Sequence, residues 1–213
     1  CTDRDRLVLS IGHVAPVLYA SLAEAGYFPK EELLSLRKTG SRLQGHPALE
    51  HGIPGLETSA GSLGQGLSIS VGMALANKID CKNQRTIAVL GDGELQEGGV
   101  WEAAMSASHH NLHRLFAIVD RNKLQIDGKT EDVMSLEPLS EKWKSFGWHV
   151  LSCDGNNIPE IQHTLQEADT IDKPTVIIAK TKMGAGVKSI ESNYKWHGQG
   201  PNHDNLNAFV DDL

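Results

Sequence analysis

Three features of the chain combine residue types and spacings that could do chemistry. The first is Gly91-Asp92-Gly93, directly after the apolar run 86–90. Flanking glycines let the backbone turn sharply and let a ligand come close. A helix after the turn aims its N-terminus at the same place, and that end favours phosphate. One carboxylate there can hold a divalent cation that also binds phosphate oxygens. The tripeptide alone does not decide the matter, because such turns are common without a metal. The second feature is Asn122, just past the apolar run 115–119. It lies 122 − 92 = 30 residues from Asp92. One crossover unit fills that interval, which makes the two strands neighbours. Asp92, the Asn122 amide oxygen and a backbone carbonyl near Leu124 would then supply three hard oxygen ligands. Diphosphate oxygens and a water would complete the octahedron. The third feature is His13, His46 and His197, each beside a glycine in an irregular segment, where side chains reach a cleft.

These residues need a frame. Residues 7–9, 86–90, 115–119, 149–153 and 175–179 are short apolar runs that read as strands. Between them, residues 14–25, 62–79, 100–108, 139–146 and 158–168 carry helical spacing. Gly26 closes the first of these, and Pro29 opens another short helix over 30–37. In 62–79 the small residues Gly66, Ser70 and Ala74 recur every fourth position and permit close packing. In 100–108 the expected packing face is Trp101, Ala104, Met105 and Ser108. Residues 40–61 hold no sustained period; an irregular stretch of that size in a compact domain is usually functional or disordered. Beyond Gly184 the pattern dissolves until a short helix over 206–213. Strands alternating with helices predict an α/β fold, a doubly wound and mostly parallel sheet with helices on both faces. Ligands of such sheets sit outside the carboxyl ends of the strands, where the Gly, Asp and Asn turns fall.

Composition narrows the partners. The chain of 213 residues reads as one domain, and its 20 basic against 27 acidic residues leave a net charge of −7. That balance argues against nucleic acid or an anionic membrane as the main partner. No long apolar run or signal-peptide pattern is present. Cys1, Cys81 and Cys153 are odd in number and contain no CxxC pair, so a reducing compartment, hence a cytoplasmic location, is expected. The chain opens on Cys1 and reads as one entered part-way. His109, His110 and His113 cluster at an expected helix C-terminus, which favours cations; a zinc site there lacks completing ligands. Trp101, Trp143 and Trp148 read as packing residues. For Glu94, a plain acid in a helix first turn stands beside any role in binding.

Asp92 and Asn122 at this spacing match the thiamine diphosphate fingerprint. The flanking text GDGELQEG at 91–98, DRNKLQIDG at 120–128, SRLQGHP at 41–47, TSAGSLGQG at 58–66 and WHG at 196–198 resembles transketolase over essentially the whole chain. The form it is most similar to is the amino-terminal subunit of a split transketolase. The resemblance implies thiamine diphosphate with Mg2+ (or Ca2+ or Mn2+) as cofactors, the metal held by Asp92, Asn122 and the Leu124 carbonyl. It implies cofactor contacts from His13, Gly61, Ser62, Leu63, Gly93, Glu94, Asn122, Ile126 and His197. His46 and His197 match histidines of the substrate channel, and Glu97 and Glu102 match carboxylates between two active sites. It further implies ketol transfer between sugar phosphates, as in the pentose phosphate pathway, with a carboxy-terminal pyrimidine-domain subunit in a heterotetramer. The sugar is left open between ordinary pentose phosphates and a branched pentulose phosphate. Another thiamine diphosphate enzyme, of 2-oxo-acid dehydrogenase or deoxyxylulose phosphate synthase type, would share Asp92 and Asn122. A non-catalytic scaffold subunit would keep the fold alone.

Overall fold

The computed structural model describes residues 4–212; Cys1, and the reading drawn from it, lies outside the described residues. The first apolar run forms β1 (Arg6–Leu9), followed by helix α1 (Ala15–Glu24). Helix α2 (Gly66–Ile79) leads to β2 (Thr86–Gly91), then α3 (Gly98–His109) and β3 (Leu115–Arg121). A small antiparallel hairpin of β4 (Leu124–Gln125) and β5 (Gly128–Lys129), unanticipated from periodicity, precedes the short α4 (Thr130–Val133). Helix α5 (Leu139–Ser145), β6 (His149–Asp154), α6 (Ile158–Ala168), β7 (Thr175–Lys180) and α7 (His203–Asp212) complete the order. Among the described residues the main sheet has the order β1-β2-β3-β7-β6, parallel throughout. The expected α/β architecture is therefore the observed one. No helix among the described residues is long and apolar enough to cross a membrane.

Alternation along the strands sends successive side chains to opposite faces. Ala88, Leu90, Ala117, Val119, Val176 and Ile178 face α2, α3 and α5. On the other face Leu9 and Val89 pack with Leu18, Tyr19 and Leu22 of α1, while Phe116, Ile177 and Ala179 pack with α6. The tryptophans are packing residues, as expected. Trp143 is fully buried, with Trp101 at 5.1 Å and Trp148 at 5.0 Å between ring centroids.

The structure corrects several boundaries. Helix α2 begins at Gly66 instead of residue 62, because Gly64 takes a left-handed φ of 79° that a helix cannot include. The 30–37 segment is a 3-10 helix, Lys30–Ser35, stopped before Arg37, which is itself left-handed at φ 60°. Helix α3 buries Val100, Ala103, Ala104 and Ala107 instead of the expected face; Met105 is 59% exposed. That set is spaced at i, i+3, i+4 and i+7, the true helical stripe. The last helix starts at His203, earlier than expected.

The stripe of small residues on α2 is where packing is tightest. A Cβ on Gly66 would stand 2.4 Å from the Ser10 side chain, whose hydroxyl accepts the Gly66 N–H at 3.0 Å. Gly66→Ala is therefore expected to cost about 1–3 kcal/mol, the usual effect of overpacking. Chemical denaturation checks this, and an unchanged midpoint would contradict it.

Candidate functional site

The carboxyl ends of β1, β2 and β3 lie side by side. Gly91 pairs with Asp120 across β2 and β3, and the Asp92 N–H donates to the Asp120 carbonyl at 3.2 Å. Asp92 and Asn122 thus leave neighbouring strands at one edge, as their spacing requires. Asp92 is 1% exposed. Its Oδ1 accepts the Gly93 N–H at 2.8 Å, and its Oδ2 accepts the Lys123 N–H at 2.6 Å and Arg121 Nη1 at 3.0 Å. Burial pushes its pKa up, against the opposing pull of the Lys123, Arg121 and Gly93 donors. Asn122 Oδ1 accepts the Leu124 N–H at 2.8 Å, closing the turn that leads into β4. The Asp92 carboxylate and the Asn122 amide are thereby tied to the same turn, Asn122–Leu124.

This donor set suits a hard cation. All three ligands are oxygen, the preference of Mg2+ and Ca2+ and not of zinc. Among the described residues no group of three His, Cys, Asp or Glu is placed to hold a metal ion by itself. A cation at Asp92 would need oxygens from its ligand, which is what a diphosphate supplies. His109 and His110 touch edge to face at 4.9 Å, and His113 Nδ1 lies 3.7 Å from Asp172, away from Asp92 in the sequence and at the opposite end of the strands.

Beneath the edge, Glu94 ties three loops together. Its Oε1 accepts from the Ser10 hydroxyl and from the Gly64 N–H at 2.7 Å, and its Oε2 accepts the Gly91 N–H at 3.2 Å. Glu94 is 1% exposed. Besides the cofactor contact that the resemblance implies, this side chain braces the loops from below. The plain helix-end reading falls short, since the carboxylate links β1, β2 and the segment before α2.

The segment before α2 lies against the start of the 3-10 turn Gly12–Val14. A Cβ on Gly12 would stand 2.7 Å from the backbone of Ala60 and Gly61, so only glycine permits this approach. Gly61 and Ser62 are exposed and Leu63 is half-buried, presenting backbone to the cleft. A Cβ on Gly61 would be 3.8 Å from the His46 ring, which places His46 over the same segment. The His13 and His197 rings are 5.6 Å apart. His197 Nδ1 is buried and has no hydrogen-bond partner among the described residues. An orphaned imidazole nitrogen of this kind is costly until a ligand satisfies it, and a diphosphate oxygen would do so. The residues present fit the cofactor.

Ile126, at the tip of the β4–β5 hairpin, is 70% exposed. Glu97, at the N-cap of α3, and Glu102, on α3, are exposed. The structure therefore gathers His13, His46, Gly61, Asp92, Gly93, Asn122, Leu124 and His197 at one sheet edge. Glu97 stands next to them, a Cβ on Gly64 being 2.7 Å from its own. Glu102 lies further along α3. Sequence reasoning missed Ser10 and Arg121. A lone cation closing the apolar strand β3 was a readable signal for Arg121; nothing marked Ser10.

His13 provides a pH prediction. Although the residue is exposed, partial desolvation of its ring, then the neighbouring charges of His197 and His46, hold its pKa below the usual 6.5. The unfolded chain then takes up a proton before the folded one does. His13 contributes stability that is present above pH 6.5 and is lost as the pH falls below it. Urea denaturation midpoints are expected to drop from about pH 7 to about pH 5.5, and to drop less in His13→Asn. The same decline in both proteins would contradict this.

A parallel sheet with a carboxylate and an amide at adjacent strand ends, and an imidazole nitrogen left without a partner among the described residues, defines an α/β domain whose donors suit a diphosphate ligand. The chain belongs to the transketolase family: residues 1–212 match its profile, "Transketolase, thiamine diphosphate binding domain". It is 45% identical over 197 residues to one subunit of the apulose-4-phosphate transketolase of Phocaeicola vulgatus, covering 92% of this chain and 69% of that protein. Over 196 residues it is 45% identical to the 6-deoxy-6-sulfo-D-fructose transketolase subunit SqwG of a Clostridium species, covering 92% and 71%. The crystal structure of transketolase from Campylobacter jejuni is similar at a TM-score of 0.86 and 35% identity, over 92% of this chain and 32% of that one. The chain is thus homologous to subunits of split transketolases, and it spans about a third of the single-chain enzyme.

Proposed function

We propose that this chain is the diphosphate-binding subunit of a transketolase, moving a two-carbon ketol unit from a ketose phosphate to an aldose phosphate. The observation that carries this reading is the all-oxygen set of Asp92, Asn122 and the Leu124 carbonyl at the edge shared with His13 and His197. Thiamine diphosphate, when bound, supplies the carbon–carbon bond chemistry. This chain's residues bind and orient it. Asp92, Asn122 and the Leu124 carbonyl would hold Mg2+ (or Ca2+ or Mn2+) against the diphosphate. His13 and His197 donate to diphosphate oxygens, with the backbone of Gly61, Ser62, Leu63 and Gly93 lining the same side. Ile126 offers an apolar contact. His46 and His197 face the sugar, where an imidazole can hold or move a proton at a hydroxyl. Glu97 and Glu102 lie where a second active site would meet the first.

The other half of the site belongs to a separate pyrimidine-domain subunit, and the pair assembles as a heterotetramer. Relatives of which this chain covers 69% and 76% are named as individual subunits of a transketolase, which supports a divided enzyme. The 213 residues make up one domain of it. The free thiols Cys81 and Cys153 accord with a cytoplasmic setting. The relatives' names refer to a branched pentulose phosphate and a sulfonated ketose, so the substrate class is a ketose with an anionic end, in the pentose phosphate pathway or beside it. A donor screen on the two-subunit complex tests the reading. Turnover of xylulose 5-phosphate, apulose 4-phosphate or sulfofructose with an aldose acceptor is expected. Turnover of pyruvate alone would favour the 2-oxo-acid or deoxyxylulose phosphate class instead.

A further inference from the structure

The roles above leave unused an ionic cluster beside Asp92, in which a buried arginine is met by two acids that reach the surface, Glu131 and Glu137. Arg121 is 3% exposed, and its guanidinium forks between four groups. Nη1 donates to Asp92 Oδ2 at 3.0 Å and to the Thr130 hydroxyl at 2.8 Å. Nη2 donates to Glu131 Oε1 at 2.7 Å and to Glu137 Oε1 at 3.0 Å. We propose that Arg121 is a positioning residue for the cation site, and that Glu131 and Glu137 cancel its charge so that it orients Asp92 without repelling the metal. This rests on the reading of Asp92 as a metal ligand.

The orientation follows from the carboxylate's partners. Oδ2 already accepts two donors, Lys123 N–H and Arg121 Nη1, while Oδ1 accepts one, Gly93 N–H. The carboxylate cannot rotate without breaking a charge-assisted bond, and Oδ1 keeps the free lone pair. A bare guanidinium so near a divalent cation would oppose it, since like charges in a dry site repel strongly. Here the cluster carries one positive and three negative groups, a net of −2 that a divalent cation balances.

The compensating acids are themselves tied down. Glu131 accepts from the Ser135 hydroxyl at 2.5 Å and from the Leu136 N–H at 3.1 Å, and its pKa is lowered to about 2. Glu137 Oε2 accepts the Leu139 N–H at 2.9 Å. The Thr130 N–H donates to the Lys123 carbonyl at 3.0 Å, joining the same segment to the Asn122–Leu124 turn. Both acids therefore stay ionised and in place.

The test is the affinity of Mn2+ for the full 213-residue chain with saturating thiamine diphosphate, read from the loss of the free-ion paramagnetic resonance signal. Each variant is compared at a temperature where circular dichroism shows it folded. Arg121→Met is expected to weaken Mn2+ by about tenfold or more, the usual effect of losing a group that orients a ligand. Arg121→Lys, which keeps the charge without the fork, should recover only part of this. The double variant Glu131→Gln, Glu137→Gln keeps the Asp92–Arg121 bond and exposes its positive charge; it should weaken Mn2+ by about as much. If Arg121→Met fails to fold, the other two variants decide. Wild-type affinity in them, or tighter binding in the double variant, would overturn the proposal. Asp92→Ala separates the levels. If it abolishes Mn2+ binding while the others change nothing, only the role of Arg121 falls. If it leaves binding intact, the metal reading falls and Arg121 with it.

Discussion

Asp92→Ala is expected to abolish metal-dependent binding of thiamine diphosphate, with a loss of about 100-fold or more in affinity. The size follows from the donor set. Asp92 is the only charged ligand proposed; Asn122 and Leu124 add neutral oxygens. Without it the cation keeps only dipoles, and the diphosphate loses the charge that joins it to an acidic chain. Hard-cation sites grade their affinity by the number of charged ligands, so losing the only one is the largest single change available. The fold should survive. Arg121 retains Thr130, Glu131 and Glu137 as partners, and the alanine needs no room. Loss of Asp92 leaves the Gly93 N–H and the Lys123 N–H without their acceptor and removes one of Arg121's partners, so a stability loss of about 2–4 kcal/mol is expected alongside the loss of binding. Calorimetric titration of thiamine diphosphate with and without Mg2+ checks this. Equal affinity in wild type and variant would contradict it.

Glu94→Ala is expected to act on stability first. Its carboxylate satisfies two backbone N–H groups, of Gly64 and Gly91, and the Ser10 hydroxyl, all below the sheet edge. Removing it orphans these donors inside the protein. Each buried unsatisfied donor costs about 1–3 kcal/mol, so a total of about 2–4 kcal/mol is expected after partial relaxation. Glu94→Gln keeps one acceptor oxygen and should cost about half. Because the brace joins the loops that carry His13, Gly61 and Asp92, cofactor affinity should fall along with stability. Urea denaturation decides it: a change in Glu94→Ala below about 0.5 kcal/mol would show that the brace carries no load.

The contrast between these two residues shows what the sequence made legible. Asp92 and Asn122 could be placed because strand periodicity and a 30-residue interval limit where two strand ends can be, and the pairing of β2 with β3 followed. The histidines could be singled out by their glycine neighbours, but not brought together. His13 and His197 are far apart in the chain, and no local pattern encodes a 5.6 Å contact between them. Glu94 looked like an acid at a helix end because its partners, Ser10 and Gly64, are distant in sequence. The start of α2 was misplaced because helical spacing continues through Gly64, while its backbone does not. The β4–β5 hairpin has two-residue strands, too short for any period to register. Local pattern thus reported strands, turns and single candidate ligands; the long-range hydrogen bonds that surround each acid are not encoded in it.

The proposed function makes this chain the holder of half an active site. The sharpest test is a ketol-transfer assay with thiamine diphosphate and Mg2+, run on this chain, on the pyrimidine-domain subunit, and on their mixture. No turnover is expected from either protein alone, and the mixture should show turnover that disappears with Asp92→Ala. Full activity from this chain by itself would contradict the half-site reading.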